Sequence, residues 1–277
     1  MILNLYDTLP VSQNSACRIF IFKCIIFFSL ISSLVSCKQE DLKTAIIQNN
    51  AGLALYNKAD YKKARYFFLK AASHENLPDT NMAVFFYNIA RTYSITSEMD
   101  SAKYFYQKSC KLYSATSQAF KISKASIFLL ESKTDSARKV LEEGYEIDST
   151  NGTINNLLGL IFIGEYGEDY FNPNVAYKFN VRAYSYFKDE PSKFALAKSE
   201  YFVYNTERAI SLFSQLHRQY PKNETYLTSL ILIKGEKGDQ QNLNMLTQEL
   251  KRKFPNDYDK VISQINTGQH SLRWNVY

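Results

Sequence analysis

The sequence predicts an all-α protein built from stacked helix pairs. Small and large apolar residues recur at steps of three and four, as in Ala64, Phe68 and Ala71, and this spacing places them on one helical face. Similar units follow one another at intervals of 33 to 39 residues. The 277-residue chain contains only 9 Gly and 6 Pro, which favours long helices over many tight turns.

Each predicted unit has a close-packed first helix and a second helix that starts at a small residue. The first unit reads Gly52-x2-Leu55 and then Ala64-x3-Phe68, and the fourth contains Leu158-Gly159. The sixth unit is degenerate, with an aliphatic residue in place of the usual alanine. The residues that start the second helices, here called the anchors, are Ala64, Ala102, Ala137, Ala176, Ala209 and Leu243.

These motifs resemble the tetratricopeptide repeat (TPR), whose pattern runs Leu-Gly-x2-Tyr, then Ala-x3-Phe, then Pro. The resemblance covers most of the chain. It implies a right-handed α-solenoid of about five to six TPR-like helix pairs, closed by a C-terminal helix from residue 256 to about 268. Because a single pair buries too little surface to be stable alone, we expect the pairs to stack in a row, each leaning on its neighbours.

Three aspartates stand near the predicted starts of second helices. Asp60, Asp100 and Asp135 are predicted N-caps, since an aspartate oxygen accepts hydrogen bonds from the free amides of a first helical turn. The triplets that begin at Asp100 and Asp135 also resemble an O-glycosylation motif of some bacteria. The recurrence of aspartate at helix starts favours the capping interpretation.

The N-terminal region predicts export. Arg18 and Lys23 precede an apolar segment that is shorter than the roughly 20 residues of a membrane-spanning helix. The segment ends in Leu34-Val35-Ser36-Cys37, which resembles the bacterial lipobox. An uncleaved anchor from Ile19 to Val35 is the alternative. The predicted divisions are a lipoprotein signal peptide at 1–37, a polar tether at 38–44, the repeat domain at 45–268 and a tail at 269–277.

The lipobox resemblance implies cleavage before Cys37 and a diacylglycerol group on its sulfur. Two or more acyl chains give stable membrane anchoring. We therefore predict a protein of the bacterial cell envelope, tethered to the outer membrane or at the periplasmic face, with exposure at the cell surface as a further alternative.

Charge and cysteine content argue against several other classes. The formal net charge of +6 comes from scattered lysines and arginines rather than a clustered basic face, so no nucleic-acid partner is predicted. Cys110 is the one cysteine beyond the N-terminal region, which excludes an internal disulfide in the repeats and leaves no metal-ligand spacing. No cofactor is predicted.

Recognisable catalytic motifs are missing. The three histidines, His74, His217 and His270, have no nucleophile partner in sequence, and the chain has no phosphate-binding glycine loop. We therefore predict that the protein is not an enzyme. A long loop at 164–174 carries acidic and aromatic residues, and we interpret it as a solvated insertion rather than a calcium site, although insertions in solenoids often lie at binding faces.

The first helices of TPR arrays line a concave groove, and this resemblance implies a peptide-binding surface here. Its composition is aromatic, amide and weakly cationic, without the paired lysines and asparagines that grip a terminal carboxylate in chaperone-binding relatives. The predicted groove residues are Asn49, Leu53, Tyr56, Tyr87, Arg91, Ile122, Ser126, Asn156, Leu160, Lys198 and Tyr201.

These features predict a lipid-anchored scaffold that binds a protein or peptide partner in the cell envelope. One alternative is the sensory or regulatory repeat domain of an envelope signalling system. That alternative is disfavoured because no second apolar run follows the repeats. A second alternative is a glycan-handling or enzymatic lipoprotein that uses the 164–174 loop.

Overall fold

A computed structural model describes residues 40–267 of the chain. The predicted signal peptide, Cys37 and the tail at 269–277 lie outside the described residues. Within 40–267 the chain forms thirteen α-helices and no β-strand, only an isolated bridge between Glu165 and Gly167. The predicted all-α fold is confirmed. No helix in this range combines the length and the apolar character that crossing a membrane requires.

The helices form six consecutive pairs and one closing helix. From α2 onward each helix packs against the next along the chain, and α13 packs against both α11 and α12. Helix α1 packs against α2 through Gly52 and Phe68. Their bounds are α1 (40–56), α2 (Tyr61–Ala72), α3 (Asp79–Ile95), α4 (Met99–Leu112), α5 (Gln118–Leu130), α6 (Thr134–Ile147), α7 (Gly152–Phe162), α8 (Pro173–Phe187), α9 (Glu190–Phe202), α10 (Thr206–Gln219), α11 (Glu224–Glu236), α12 (Gln240–Lys253) and α13 (Pro255–Asn266).

All six anchors are buried near the start of a second helix. The first pair shows why a small residue is needed opposite a large one. A Cβ atom added to Gly52 of α1 would lie 2.6 Å from the ring of Phe68 on α2, and that ring is fully buried. Close approach of the paired helices therefore depends on a glycine facing an aromatic ring.

Five of the six turns between paired helices share one conformation. In each, a residue with positive φ lies five positions before the anchor, and the chain then enters the second helix after one further residue. The left-handed conformation is unfavourable for residues other than glycine, yet glycine fills it only once. The residues are Ala59, Ser97, Ser132, Tyr204 and Gly238.

This shared turn corrects two of the three capping predictions. Asp60 follows the left-handed residue directly and accepts a 3.3 Å hydrogen bond from the amide of Lys63, as predicted. Asp100 and Asp135 lie two residues further on, inside the first turns of α4 and α6. The caps of those helices are Glu98 and Lys133, and neither side chain makes a capping bond.

The array curves far enough for its first pair to touch its fifth. The Tyr61 hydroxyl donates a 3.1 Å hydrogen bond to Oε2 of Glu190, and the Tyr220 hydroxyl lies 3.4 Å from the carbonyl oxygen of Asn57. Tyr226 donates to the other oxygen of Glu190. We call Asn57, Tyr61, Glu190, Tyr220 and Tyr226 the closure. The expectation that each pair contacts only its neighbours is therefore wrong at this point.

Candidate functional site

A cavity of about 140 Å³ lies inside the curve of the array, with the closure on one side. First helices α3, α5 and α7 supply much of its wall, and the turn between α8 and α9 supplies the side next to the closure. The structure brings six of the eleven predicted groove residues together in its lining. They are Tyr56, Tyr87, Arg91, Ser126, Asn156 and Leu160.

The other five predicted residues do not line this cavity. Asn49 accepts a 2.9 Å hydrogen bond from Asn88 between the first two pairs. Leu53 and Ile122 pack in apolar clusters. Lys198 forms an ion pair with Glu165, and the Tyr201 hydroxyl donates a 2.6 Å hydrogen bond to Glu236. Contacts between neighbouring units thus occupy these side chains.

Arg91 is the cation of the cavity. Its Nη2 donates a 2.9 Å hydrogen bond to the Tyr56 hydroxyl, and the guanidinium carbon lies 4.3 Å from the Tyr56 ring centre and 5.9 Å from that of Tyr87. Contacts between a cation and aromatic faces are attractive. Among the described residues, Arg91 has no ion-pair partner within 4.0 Å.

Asp189 lines the cavity from the turn between α8 and α9. It is buried, and its Oδ1 caps α9 by accepting hydrogen bonds from the amide of Ser192 at 3.0 Å and from its hydroxyl at 2.5 Å. One positive and one negative side chain therefore face a small and largely aromatic space. This arrangement suits a polar group of no net charge.

The tyrosine hydroxyls of the cavity keep their protons. Burial raises the pKa of Tyr87 to about 12, although the charge of Arg91 opposes the shift. Burial also raises the pKa of Tyr106 well above its ordinary value, with a further contribution from Tyr87. At neutral pH both hydroxyls are therefore uncharged groups that can donate or accept a hydrogen bond.

Asn156 adds an acceptor to the same wall. Its side chain lines the cavity, and its Oδ1 is buried without a hydrogen-bond partner among the described residues. A buried amide oxygen without a donor is costly, so such groups in folded proteins are usually paired. The cavity therefore presents a donor set on Arg91 and an unmatched acceptor on Asn156.

A second cavity of about 350 Å³ adjoins the first. Its remaining wall mixes apolar and polar side chains, with Met99, Leu129 and Leu130 beside Ser132, Thr134 and Glu165. The two spaces together form one cleft whose apolar and aromatic lining carries a few polar groups, as ligand-binding sites commonly do. The residues that both cavities share are Ser94, Tyr106, Ser126, Leu157 and Tyr166.

The loop predicted as a solvated insertion is attached to the array and contributes to the cleft. The Thr134 hydroxyl donates a 2.8 Å hydrogen bond to the carbonyl oxygen of Tyr166, and the Tyr170 hydroxyl donates a 2.7 Å bond to Asp135. Glu165 pairs with Lys198. These bonds hold the loop against α6 and α9, with Tyr166 at both cavities.

Asp135 is the main attachment point of this loop. Hydrogen bonds from Lys139, Tyr170 and Arg138 hold the pKa of its carboxyl below the ordinary value. The acidic tip of the loop, at Glu168 and Asp169, is exposed. Within residues 40–267, no three histidine, cysteine or acidic side chains cluster in a way that could hold a metal ion.

Several cavity residues were absent from the predicted set. Tyr106 stands four positions after Ala102, where the sequence pattern indicates core packing. Phe187 ends α8, Asp189 lies in the turn to α9, and Pro191 is in the first turn of α9; they reach the cavity because the array curves back on itself. No periodic signal marks such a turn in the sequence.

Comparison with known structures supports the fold. The chain is similar to a chain of the APC/C hetero-tetramer Cut9–Hcn1, with a TM-score of 0.59, 14% identity and coverage of 86% of this chain and 45% of that one. It thus spans less than half of that protein. It is also similar to pilF of Pseudomonas aeruginosa, with a TM-score of 0.50, 14% identity and coverage of 81% and 99%.

A third similar structure is YrrB, described as a TPR protein with an unusual peptide-binding site. The TM-score is 0.49 at 18% identity, with coverage of 72% of this chain and 97% of that one. No family model and no curated protein matches the sequence. At these identities the similarity to the first two structures shows the fold alone, a TPR-like solenoid.

Proposed function

We propose that this TPR-like solenoid is a protein-binding scaffold that receives a peptide segment of its partner in the central cleft. The proposal rests on two groups that line the first cavity. They are the N–H donors of Arg91 and the side-chain oxygen of Asn156, which has no hydrogen-bond partner among the described residues. A peptide group has one acceptor and one donor, which matches this pair. Aromatic rings and leucine side chains of the cleft then cover the side chains of the segment.

The structural neighbours support a binding role. One similar chain belongs to the APC/C hetero-tetramer Cut9–Hcn1, so a chain of similar fold serves there within a protein assembly. A stiff array binds without refolding, and its first helices present many contacts along one surface. The proposal assigns binding and no catalytic step to the cleft.

Matched tryptophan substitutions test the cleft as the binding site. Leu160→Trp fills the first cavity, whereas Leu69→Trp adds the same side chain at an exposed position of α2. Tagged full-length variants are used to recover partners from detergent-solubilised membranes. We expect Leu160→Trp to lose a partner that the wild type and Leu69→Trp retain. Equal recovery by both variants would show that the cleft is not the binding site.

We further propose that the scaffold is tethered by lipid at Cys37 to the bacterial cell envelope, at the outer membrane or the periplasmic face. The support is the sequence Leu34-Val35-Ser36-Cys37 after a basic and then an apolar segment. Cells fed an alkyne-bearing fatty acid should label the wild type and Cys24→Ser but not Cys37→Ser. Persistent labelling of Cys37→Ser would refute the anchor.

A further inference from the structure

The closure joins the first pair of the array to the fifth through polar groups. The Tyr61 hydroxyl meets Glu190, and the Tyr220 hydroxyl meets the carbonyl oxygen of Asn57. Among the described residues, the apolar cluster around Phe68 and that around Phe213 share no member. Among the described residues, two hydrogen bonds link the first pair to the fifth, and each of them can be exchanged for a bond to water.

Glu190 is the centre of the junction. It is buried and stands at the first position of α9, where a carboxylate is favoured by the helix dipole. Tyr61 binds it from the first pair, and Tyr226 binds it from the sixth. Because Tyr226 and the helix end remain with Glu190 when Tyr61 withdraws, an open form leaves the carboxylate solvated and partly paired.

Residues next to the junction also form part of the cavity wall. Tyr56, on the last turn of α1, lines one side, and Phe187, Asp189 and Pro191 line the other. These residues stand within five positions of Tyr61 and within three of Glu190, respectively. Separation of the first pair from α9 would therefore open the cavity along its length.

We propose that the closure is a gate, which opens between Tyr61 and Glu190 to admit the partner segment and shuts behind it. The inference rests on the proposed function for the identity of the occupant. The opening itself is a property of the free chain. Segmental opening of this kind exposes buried amides in proportion to the open population.

Hydrogen exchange measures that population directly. The amide of Ser192 is buried beside the closure and donates to Asp189. We expect Tyr61→Phe in the full-length chain to speed exchange in the peptide containing Ser192 by roughly three- to tenfold, the change that loss of one hydrogen bond produces. Exchange in α5 should stay at the wild-type rate. Tyr104→Phe, at an exposed tyrosine, is the matched control.

Two lysines provide a second readout. Lys58 and Lys222 are exposed and flank the contact between Asn57 and Tyr220. An amine-reactive cross-linker that joins them fixes the gate shut. Lys103 and Lys133 both bind Glu131, so their cross-link reports intact packing elsewhere. We expect a lower yield of the Lys58–Lys222 product in Tyr61→Phe and an unchanged yield of the second product.

The cross-linked protein separates the gate from the proposed function. A photoreactive residue in place of Tyr166 should lose its partner adduct when Lys58 and Lys222 are joined. Undiminished adducts in the joined form, or unchanged Ser192 exchange in Tyr61→Phe, would overturn the gate and leave the binding proposal standing. Faster exchange without any partner adduct in the unjoined form would instead refute the binding proposal alone.

Discussion

Gly159 of α7 lies directly against the side chain of Asn180 on α8, so close that a Cβ atom at position 159 would lie 2.6 Å from Cγ of Asn180. Asn180 is fully buried and cannot move aside freely. Its Nδ2 donates a 2.8 Å hydrogen bond to the Ser199 hydroxyl and a 3.4 Å bond to the carbonyl oxygen of Ala195. This contact fixes α7, α8 and α9 against one another.

Gly159→Ala should lower the free energy of unfolding by about 1–3 kcal/mol, because the added methyl group overpacks a buried contact. In an Asn180→Ala background the same change should be neutral or stabilising by up to about 1 kcal/mol, since alanine favours a helix over glycine. Urea denaturation of the four chains measures both values. Equal destabilisation in the two backgrounds would disprove the steric origin.

The raised pKa of Tyr87 predicts that the protein loses stability in alkali. Its pKa is about 12 in the folded protein against about 10 when unfolded, so its contribution is complete below pH 10 and disappears as the pH rises through 12. Tyr87→Phe should remove about 1 kcal/mol of the stability difference between pH 9 and pH 11. Urea unfolding at the two pH values measures this difference. If the stability difference between pH 9 and pH 11 is the same in Tyr87→Phe as in the wild type, the raised pKa of Tyr87 is refuted.

The capping correction can be tested with two alanine substitutions. Asp60→Ala removes the bond to the Lys63 amide and should lower the free energy of unfolding by about 1 kcal/mol. Asp100→Ala removes only a favourable charge from the first turn of α4 and should cost no more than about 0.5 kcal/mol. Thermal and urea unfolding of both variants show which substitution costs more stability. A larger cost at Asp100 would restore the original capping interpretation.

The loop attachment makes a prediction about hydrogen exchange. Tyr170→Phe removes the bond to Asp135 and should speed amide exchange in residues 163–171, with little effect on α10. The pKa of Asp135 is lowered, so its contribution is present above the unfolded pKa and is lost as the pH falls through the folded value. Exchange of the loop should therefore approach the Tyr170→Phe rate in acid. No difference between variant and wild type would refute this attachment.

The repeat architecture could be predicted from the sequence because the pattern of small and large residues is local and periodic. Ala64 with Phe68 and the later anchors located every second helix. The turns were harder to predict from the sequence, because four left-handed positions hold alanine, serine or tyrosine instead of glycine. The predicted N-caps, Asp100 and Asp135, therefore lie two residues after the actual caps, Glu98 and Lys133.

The candidate site was predictable only on one wall. Tyr56, Tyr87 and Arg91 lie on first helices and follow from the repeat register. The opposite wall depends on accumulated curvature, which brings Glu190 to Tyr61 across 129 residues. Small rotations at each pair determine that curvature, and no single motif encodes them.

Site-specific photo-cross-linking tests the binding role of the cleft most directly. A photoreactive phenylalanine derivative replaces Tyr166 in the cleft or Tyr104 on the exposed surface, in the full-length chain in native membranes. We predict a discrete protein adduct from position 166 that Leu160→Trp abolishes, and none from position 104. Equal adducts from both positions, or none from position 166, would contradict the account.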